Sequence, residues 1–295
     1  MELTIGPILY EWKRDEVLHF YKEAAQMPVD RVYLGEVVCS KRRGVSLDDT
    51  GRIIEMLEKA GKKVTLSSLA IVSNDEELAY TRRLCGLHGS IEANDICVLN
   101  MADLAKTEVF AGPHITTYNV PSIDFLKGLG VRRVTFPVEL PKESIAYNIK
   151  HTKGVAAELF AHGRLPLAFS WRCYTSRAYG LSKTECKHHC ALHPEGMELK
   201  TMEGAPLFNA NGTSIMSANV YTLIEFTGEL RALGAHALRI SPQQKGTAEV
   251  ARIFRARLDN ELEAGEALNL LKAATGSILC NGWYKGGPGR DMIPA

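Results

Sequence analysis

No apolar run in the sequence reaches the roughly 18 residues that a membrane-spanning helix needs. Nor is there an excess of one charge. The 35 Lys and Arg residues stand against 34 Asp and Glu, a formal net charge of +1. That balance argues against whole-surface attraction to nucleic acid or an anionic membrane, and leaves room only for a local basic patch. Familiar catalytic motifs are missing too: no H-E-x-x-H, no Walker loop, no G-x-G-x-x-G, and no G-x-S-x-G around Ser67 and Ser68. No C-x2-C is present, so the zinc-ribbon spacing fails. The first residues lack a basic region followed by a small-residue cleavage site, so the expected location is the cytoplasm.

What is present is a regular alternation. Hydrophobic residues make up 45% of the 295 residues, enough for a sizeable core. Short β-rich runs at 3–9, 31–37, 63–69, 90–94, 107–111, 133–137, 156–161 and 237–241 alternate with stretches of helical spacing. Among the helices, Leu47–Ala60 is amphipathic, Ser73 with Glu76 reads as a capping box, and further helices are expected near 219–233 and 247–260. Eight βα units in series imply parallel strands with helical crossovers. Their count favours closure into a (β/α)₈ TIM-like barrel, a single domain over 1–295, rather than an open doubly wound sheet. The rhythm breaks at about 164–215, a cysteine-containing insertion after the seventh strand that carries an Asn211-Gly212 hairpin signal. A glycine-rich tail follows from about 280 to 295.

Seven cysteines, Cys39, Cys85, Cys97, Cys173, Cys186, Cys190 and Cys280, are an odd number spread over a long chain. Such usage fits a reducing compartment better than a secreted disulfide scaffold. Cys173, Cys186 and Cys190 form C-x12-C-x3-C, and the C-x3-C step suits one helical turn. A fourth thiolate would close a site. Cys39, in the polar run Cys39-Ser40-Lys41-Arg42 beyond the second strand, is placed best for it. Four thiolates suit zinc or an iron–sulfur cluster, and His188, His189 and His193 offer imidazoles that zinc would accept. Arg172, Arg177, Lys183 and Lys187 would offset the negative charge of such a centre, or form an ordinary solvated basic loop.

The run Glu158-Leu159-Phe160-Ala161-His162-Gly163, followed by Leu165, Ser170, Arg172, Cys173 and Ser176, resembles the signature of the collagenase-like peptidase superfamily of unknown catalytic type. Alignable features span most of the chain: LGE at 34–36, EANDI at 92–96, and the tail from Asn281-Gly282-Trp283-Tyr284. Where that signature has its first cysteine this chain has Pro166, and no cysteine lies between Cys190 and Cys280. Cys39 with Cys173, Cys186 and Cys190 is the set that UbiV-type members use for a [4Fe–4S] cluster. The resemblance therefore implies an iron–sulfur barrel that works with a UbiU-like paralogous iron–sulfur protein as a heterodimer. Its implied task is oxygen-independent hydroxylation of the aromatic ring in anaerobic ubiquinone biosynthesis, with prephenate as oxygen source. A peptidase of the same superfamily, an RNA base hydroxylase, and a non-catalytic electron-transfer or structural partner are the alternatives.

No catalytic residue follows from the sequence alone. His162 closes a strand within the matched motif and is a candidate acid, base or anion ligand, or a structural imidazole. Glu36 could pair with an arginine. Asn94 and Asp95 could orient a substrate or cap a helix. His114, Tyr118 and Asn119 fall in the loop after the fifth strand. Arg172 and Arg177 could bind carboxylates in bidentate fashion, as a dicarboxylate such as prephenate would require.

Overall fold

The computed structural model describes residues 1–42 and 44–295. Strand and helix alternate from the first residues: β1 (Glu2–Ile5), α1 (Arg14–Ala24), β2 (Arg31–Leu34), α2 (Leu47–Lys59), β3 (Lys63–Ser67), α3 (Asp75–Cys85), β4 (Ser90–Ala93) and α4 (Cys97–Met101). There follow β5 (Glu108–Ala111), α5 (Val120–Gly128), β6 (Arg133–Thr135), α6 (Lys142–His151) and the long β7 (Ala156–Phe169). After α7 (Tyr174–Ala178) come β8 (Met197–Lys200), β9 (Pro206–Asn211), β10 (Ser214–Thr222) and α8 (Thr227–Leu233). The chain ends with β11 (Ala237–Ile240), α9 (Thr247–Leu258), α10 (Ala264–Thr275) and β12 (Leu279–Cys280).

Strands β1 to β7 pair in order and in parallel, and β11 pairs in parallel with both β7 and β1. Eight parallel strands thus close into the expected TIM-like barrel. The alternation of side chains explains its stability. Outward positions such as Leu3, Ile5, Val32, Leu66, Ile91, Val109 and Leu238 are buried under the helix ring. Inward positions are largely polar: Thr4, Arg31, Tyr33, Thr65, Ser67, Glu92, Arg133, Thr135, Glu158 and Arg239 are all nearly inaccessible to solvent. Buried charge of this kind survives only when paired. Glu158 accepts from Thr4 and Arg239 on one oxygen and from Tyr33 and Arg133 on the other. Arg239 also reaches Glu92 at 2.7 Å and Thr135 at 3.0 Å. Burial opposes the charge of Glu158, but Arg239 and Arg133 outweigh it and hold the carboxyl down at about 2.

Helix starts follow capping chemistry. Ser46 and Asp49 form a capping box that starts α2, whose buried face is Ile53, Ile54 and Leu57. The cap of α3 differs from the expectation by one residue. Asn74 accepts from the Glu77 N–H, while Ser73 donates to the Glu77 carboxylate.

Three segments depart from the sequence reading. The seventh strand does not stop at 161 but continues to Phe169, because its second half pairs antiparallel with β10. Residues 219–222 are the end of β10 rather than the start of a helix, and α8 begins at Thr227. Helix α10 and strand β12 fell outside the expected elements, and β12 draws Cys280 out of the tail into a pairing with β10. The insertion is a three-stranded antiparallel extension, β10-β9-β8, carried on the upper end of β7. Among the described residues, no helix is long and apolar enough to cross a membrane.

Candidate active site at the barrel mouth

The C-terminal strand ends, where (β/α)₈ barrels carry their chemistry, are partly roofed by the insertion. Thr213 at the β9–β10 turn donates to the Val38 carbonyl at 2.7 Å, and Asn211 donates to the Leu9 carbonyl at 2.7 Å. Lys41 donates to the Lys183 carbonyl at 2.7 Å, and the Trp12 indole to the Pro194 carbonyl at 3.0 Å. These bonds bring the loop after β2, which holds Cys39, against the insertion, which holds the other three candidate thiols.

At their junction lies Arg42. It is buried, donates to the Leu9 carbonyl and to Asn211 Oδ1, and stands 3.8 Å from Glu36 and 3.6 Å from Glu11. Burial works against its charge, but Glu36, Cys190, Glu11 and Cys39 more than restore it. Sequence reasoning treated Arg42 only as part of a polar loop. Its one legible signal was position, three residues after Cys39 and beyond a strand end.

The thiols converge only in part. Burial pushes Cys190 up to about 11, against the pull of Arg42, and its thiol also interacts with Cys39 and Cys173. Burial likewise raises Cys39. Cys173 is buried, precedes α7, and accepts from the Ser176 N–H at 3.3 Å. Cys186 does not share a helical turn with Cys190. The turn at 189–192 is a short 3-10 helix, and His188 before it is left-handed. Among the described residues, no three His, Cys, Asp or Glu side chains already stand as a set of metal ligands. Cys85 ends α3, Cys97 opens α4, and Cys280 is buried in β12.

The other candidates separate. Glu36 accepts from the backbone N–H groups of Val38 and Cys39, and burial pushes its carboxyl up to about 7 despite Arg42. His162 is not at the mouth. A bulge between Arg239 and Ile240 turns it to the outer side of the wall, where its ring meets Phe254 of α9 edge-on at 5.8 Å. Its Nδ1 has no partner, and burial drops its pKa to about 3. Arg172 and Arg177 are exposed on the insertion. Asn119 caps α5, and Asp95 accepts from the N–H groups of Val72 and Cys97. Tyr118 donates to Glu139.

Asn94 and His114 do come together. Both line a cleft of about 630 Å³ over the ends of β4 and β5. They also line a small void above Arg239 and Glu92 that Pro166 helps to close. The residue that departs from the family signature therefore stands in the mouth itself.

Comparison with known proteins agrees with the motif. The model of Peptidase family U32 matches residues 17–292. The 23S rRNA 5-hydroxycytidine C2501 synthase of Escherichia coli (strain K12) is 24% identical over 267 residues, covering 86% of this chain and 40% of that protein. The chain thus spans about two fifths of the length of that relative. Among solved structures, thiamine phosphate pyrophosphorylase from Pyrococcus furiosus superposes with a TM-score of 0.47 at 6% identity, covering 88% of this chain and 96% of that one. A DAHP synthase from Thermotoga maritima gives 0.48 at 9% identity, covering 94% and 71%. From the family match over 17–292, the chain belongs to peptidase family U32.

Proposed function

We propose that this barrel holds a [4Fe–4S] cluster through Cys39, Cys173, Cys186 and Cys190 and serves oxygen-independent hydroxylation of an aromatic ring. In that reading it acts with a UbiU-like paralogue in anaerobic ubiquinone biosynthesis. One observation carries the proposal: the loop that holds Cys39 is hydrogen-bonded to the insertion that holds Cys173, Cys186 and Cys190, with the buried cation Arg42 at their junction. The donor set is soft, and Arg42 offsets the charge that thiolates would bring. The Ser176 N–H already points at the Cys173 sulfur, the kind of bond that tunes a thiolate ligand. Ligation by thiolates would release their protons. The cluster would supply one-electron redox chemistry. Protein side chains of the mouth would orient the ring, and Arg172 and Arg177 would attract a dicarboxylate oxygen donor such as prephenate.

The test is anaerobic purification with iron and acid-labile sulfide analysis of single variants. Cys39→Ala, Cys173→Ala, Cys186→Ala and Cys190→Ala should each lose most of the iron. Cys85→Ala and Cys97→Ala should keep it. A full cluster in Cys39→Ala, or stoichiometric zinc in place of iron, would sink the assignment.

A second reading draws on the relative that hydroxylates a base of 23S rRNA. It would have this chain hydroxylate a nucleobase, and the balanced surface charge weighs against it. The peptidase reading has less support, since His162 lies beneath α9 and away from the mouth.

A further inference from the structure

We infer that the exposed face of the insertion around Trp171 docks an acidic one-electron carrier protein. The chain as a whole is nearly neutral, but its charge is unevenly spread. Between Trp171 and Lys187, four cations, Arg172, Arg177, Lys183 and Lys187, stand against one carboxylate, Glu185. With the chain at +1, the rest of the molecule is then slightly acidic. Arg172, Arg177 and Lys187 are exposed and Lys183 is half-buried. Glu185 accepts from the Ser182 hydroxyl at 2.7 Å.

Two contacts gather this charge. The Lys183 ammonium lies over the Trp171 ring, 5.1 Å from its centroid. The loop after β2 adds a fifth cation, since Lys41 donates to the Lys183 carbonyl at 2.7 Å. Elsewhere on the molecule cations are paired: Arg14 with Asp49, Lys142 with Glu229, Arg255 with Asp30. Among the described residues none of the five around Trp171 forms an ion pair. Cations left unpaired in one place raise a local positive potential, which steers an acidic partner. Trp171, 57% exposed, adds an apolar anchor beside them.

The position names the kind of partner. Cys173 lies two residues beyond Trp171, and Cys186, partly exposed, lies between Lys183 and Lys187. A protein seated here is next to the thiols without crossing the barrel. The inference rests on the proposed cluster for the task of that partner: the carrier gives up one electron, the cluster takes it, and no bond forms or breaks. Charge steering over a small contact suits such brief encounters. A nucleic acid strand fits less well. One face of Trp171 is already covered by Lys183, and Glu195, Glu198 and Glu203 follow in the same insertion, so no long basic track continues from it.

The test uses the full chain, purified anaerobically, with an acidic [2Fe–2S] ferredoxin as probe. Calorimetric titration with the oxidised ferredoxin reads docking, with or without iron in this chain. Stopped-flow mixing with the reduced ferredoxin reads electron transfer. Raising salt from about 0.02 to about 0.2 M should weaken docking by about tenfold. Lys183→Glu and Arg177→Glu should each weaken it by about tenfold, and Lys183→Arg should keep it. Lys150→Glu, exposed on α6 and outside the insertion, should leave it unchanged. Full affinity in both insertion variants, docking that ignores salt, or an equal loss in Lys150→Glu would overturn the inference. So would binding of an oligouridylate, or of vesicles containing phosphatidylglycerol, at this face in place of the ferredoxin. Iron is measured on every preparation. Docking that leaves bound iron unreduced, or iron without docking, would overturn the inference and leave the cluster standing. Docking by a parent chain that holds no iron would overturn the cluster assignment and leave the docking face standing.

Discussion

At Glu158 side chains from four other strands meet: Thr4, Tyr33, Arg133 and Arg239. The motif that marks the family therefore begins with a residue whose work is inside the barrel, below the mouth. Its titration has a definite sign. The folded carboxyl sits at about 2, below its usual 4.5, so the stability it contributes is present above pH 4.5 and is lost as pH falls toward 2. Glu158→Gln keeps the shape and removes the charge, leaving two buried guanidinium groups short of a counter-ion. We expect it to cost roughly 3–5 kcal/mol at pH 7. Its stability should also change less than that of the parent chain between pH 4.5 and 2. Urea unfolding midpoints across that range would check both; an unchanged acid slope would show that other carboxylates carry it.

Among the elements, the β9–β10 hairpin matters most, because it ties the insertion to the rim. Gly212 in its turn has φ +64, and a Cβ there would come within 2.9 Å of Arg42 Nη2. Gly212→Ala should therefore cost about 1–2 kcal/mol from backbone conformation alone and press on the Arg42–Asn211 bond. The expected result is earlier protease cleavage within 170–215 while the barrel stays intact, since an insertion held by few bonds opens before the core. Simultaneous digestion of barrel and insertion would show that the two unfold as one unit. The Asn211-Gly212 turn was legible because its chemistry is local. The continuation of β7 to Phe169 and of β10 to Thr222 was not, because each strand exists by pairing with the other, about 50 residues away in sequence.

For the whole molecule, the balanced charge means that any lasting partner must be held by shape and apolar contact more than by long-range attraction. The proposed function needs a paralogous iron–sulfur chain. Anaerobic co-expression with such a chain should give a one-to-one heterodimer, about twice the mass of a single chain, by sizing and light scattering. Recovery of this chain as a monomer under those conditions would contradict the proposal.

The barrel was readable from sequence because a βα unit is largely local. Alternating apolar positions, caps such as Ser46 and helix spacing such as Ile53, Ile54 and Leu57 each act over a few residues, and eight repeats leave few topologies. The insertion was readable as the place where that rhythm stops. Tertiary structure alone decided what faces what. It turned His162 outward through a one-residue bulge, which no periodicity reveals, and it filled the barrel with ion pairs among Glu92, Arg133, Glu158 and Arg239 drawn from four strands. It also set Arg42 among thiols up to about 150 residues away and left Asn94 with an unpaired oxygen beside Gly112. Burial, pairing and charge proximity arise only when the sheet closes, so the chemistry of the mouth is a property of closure.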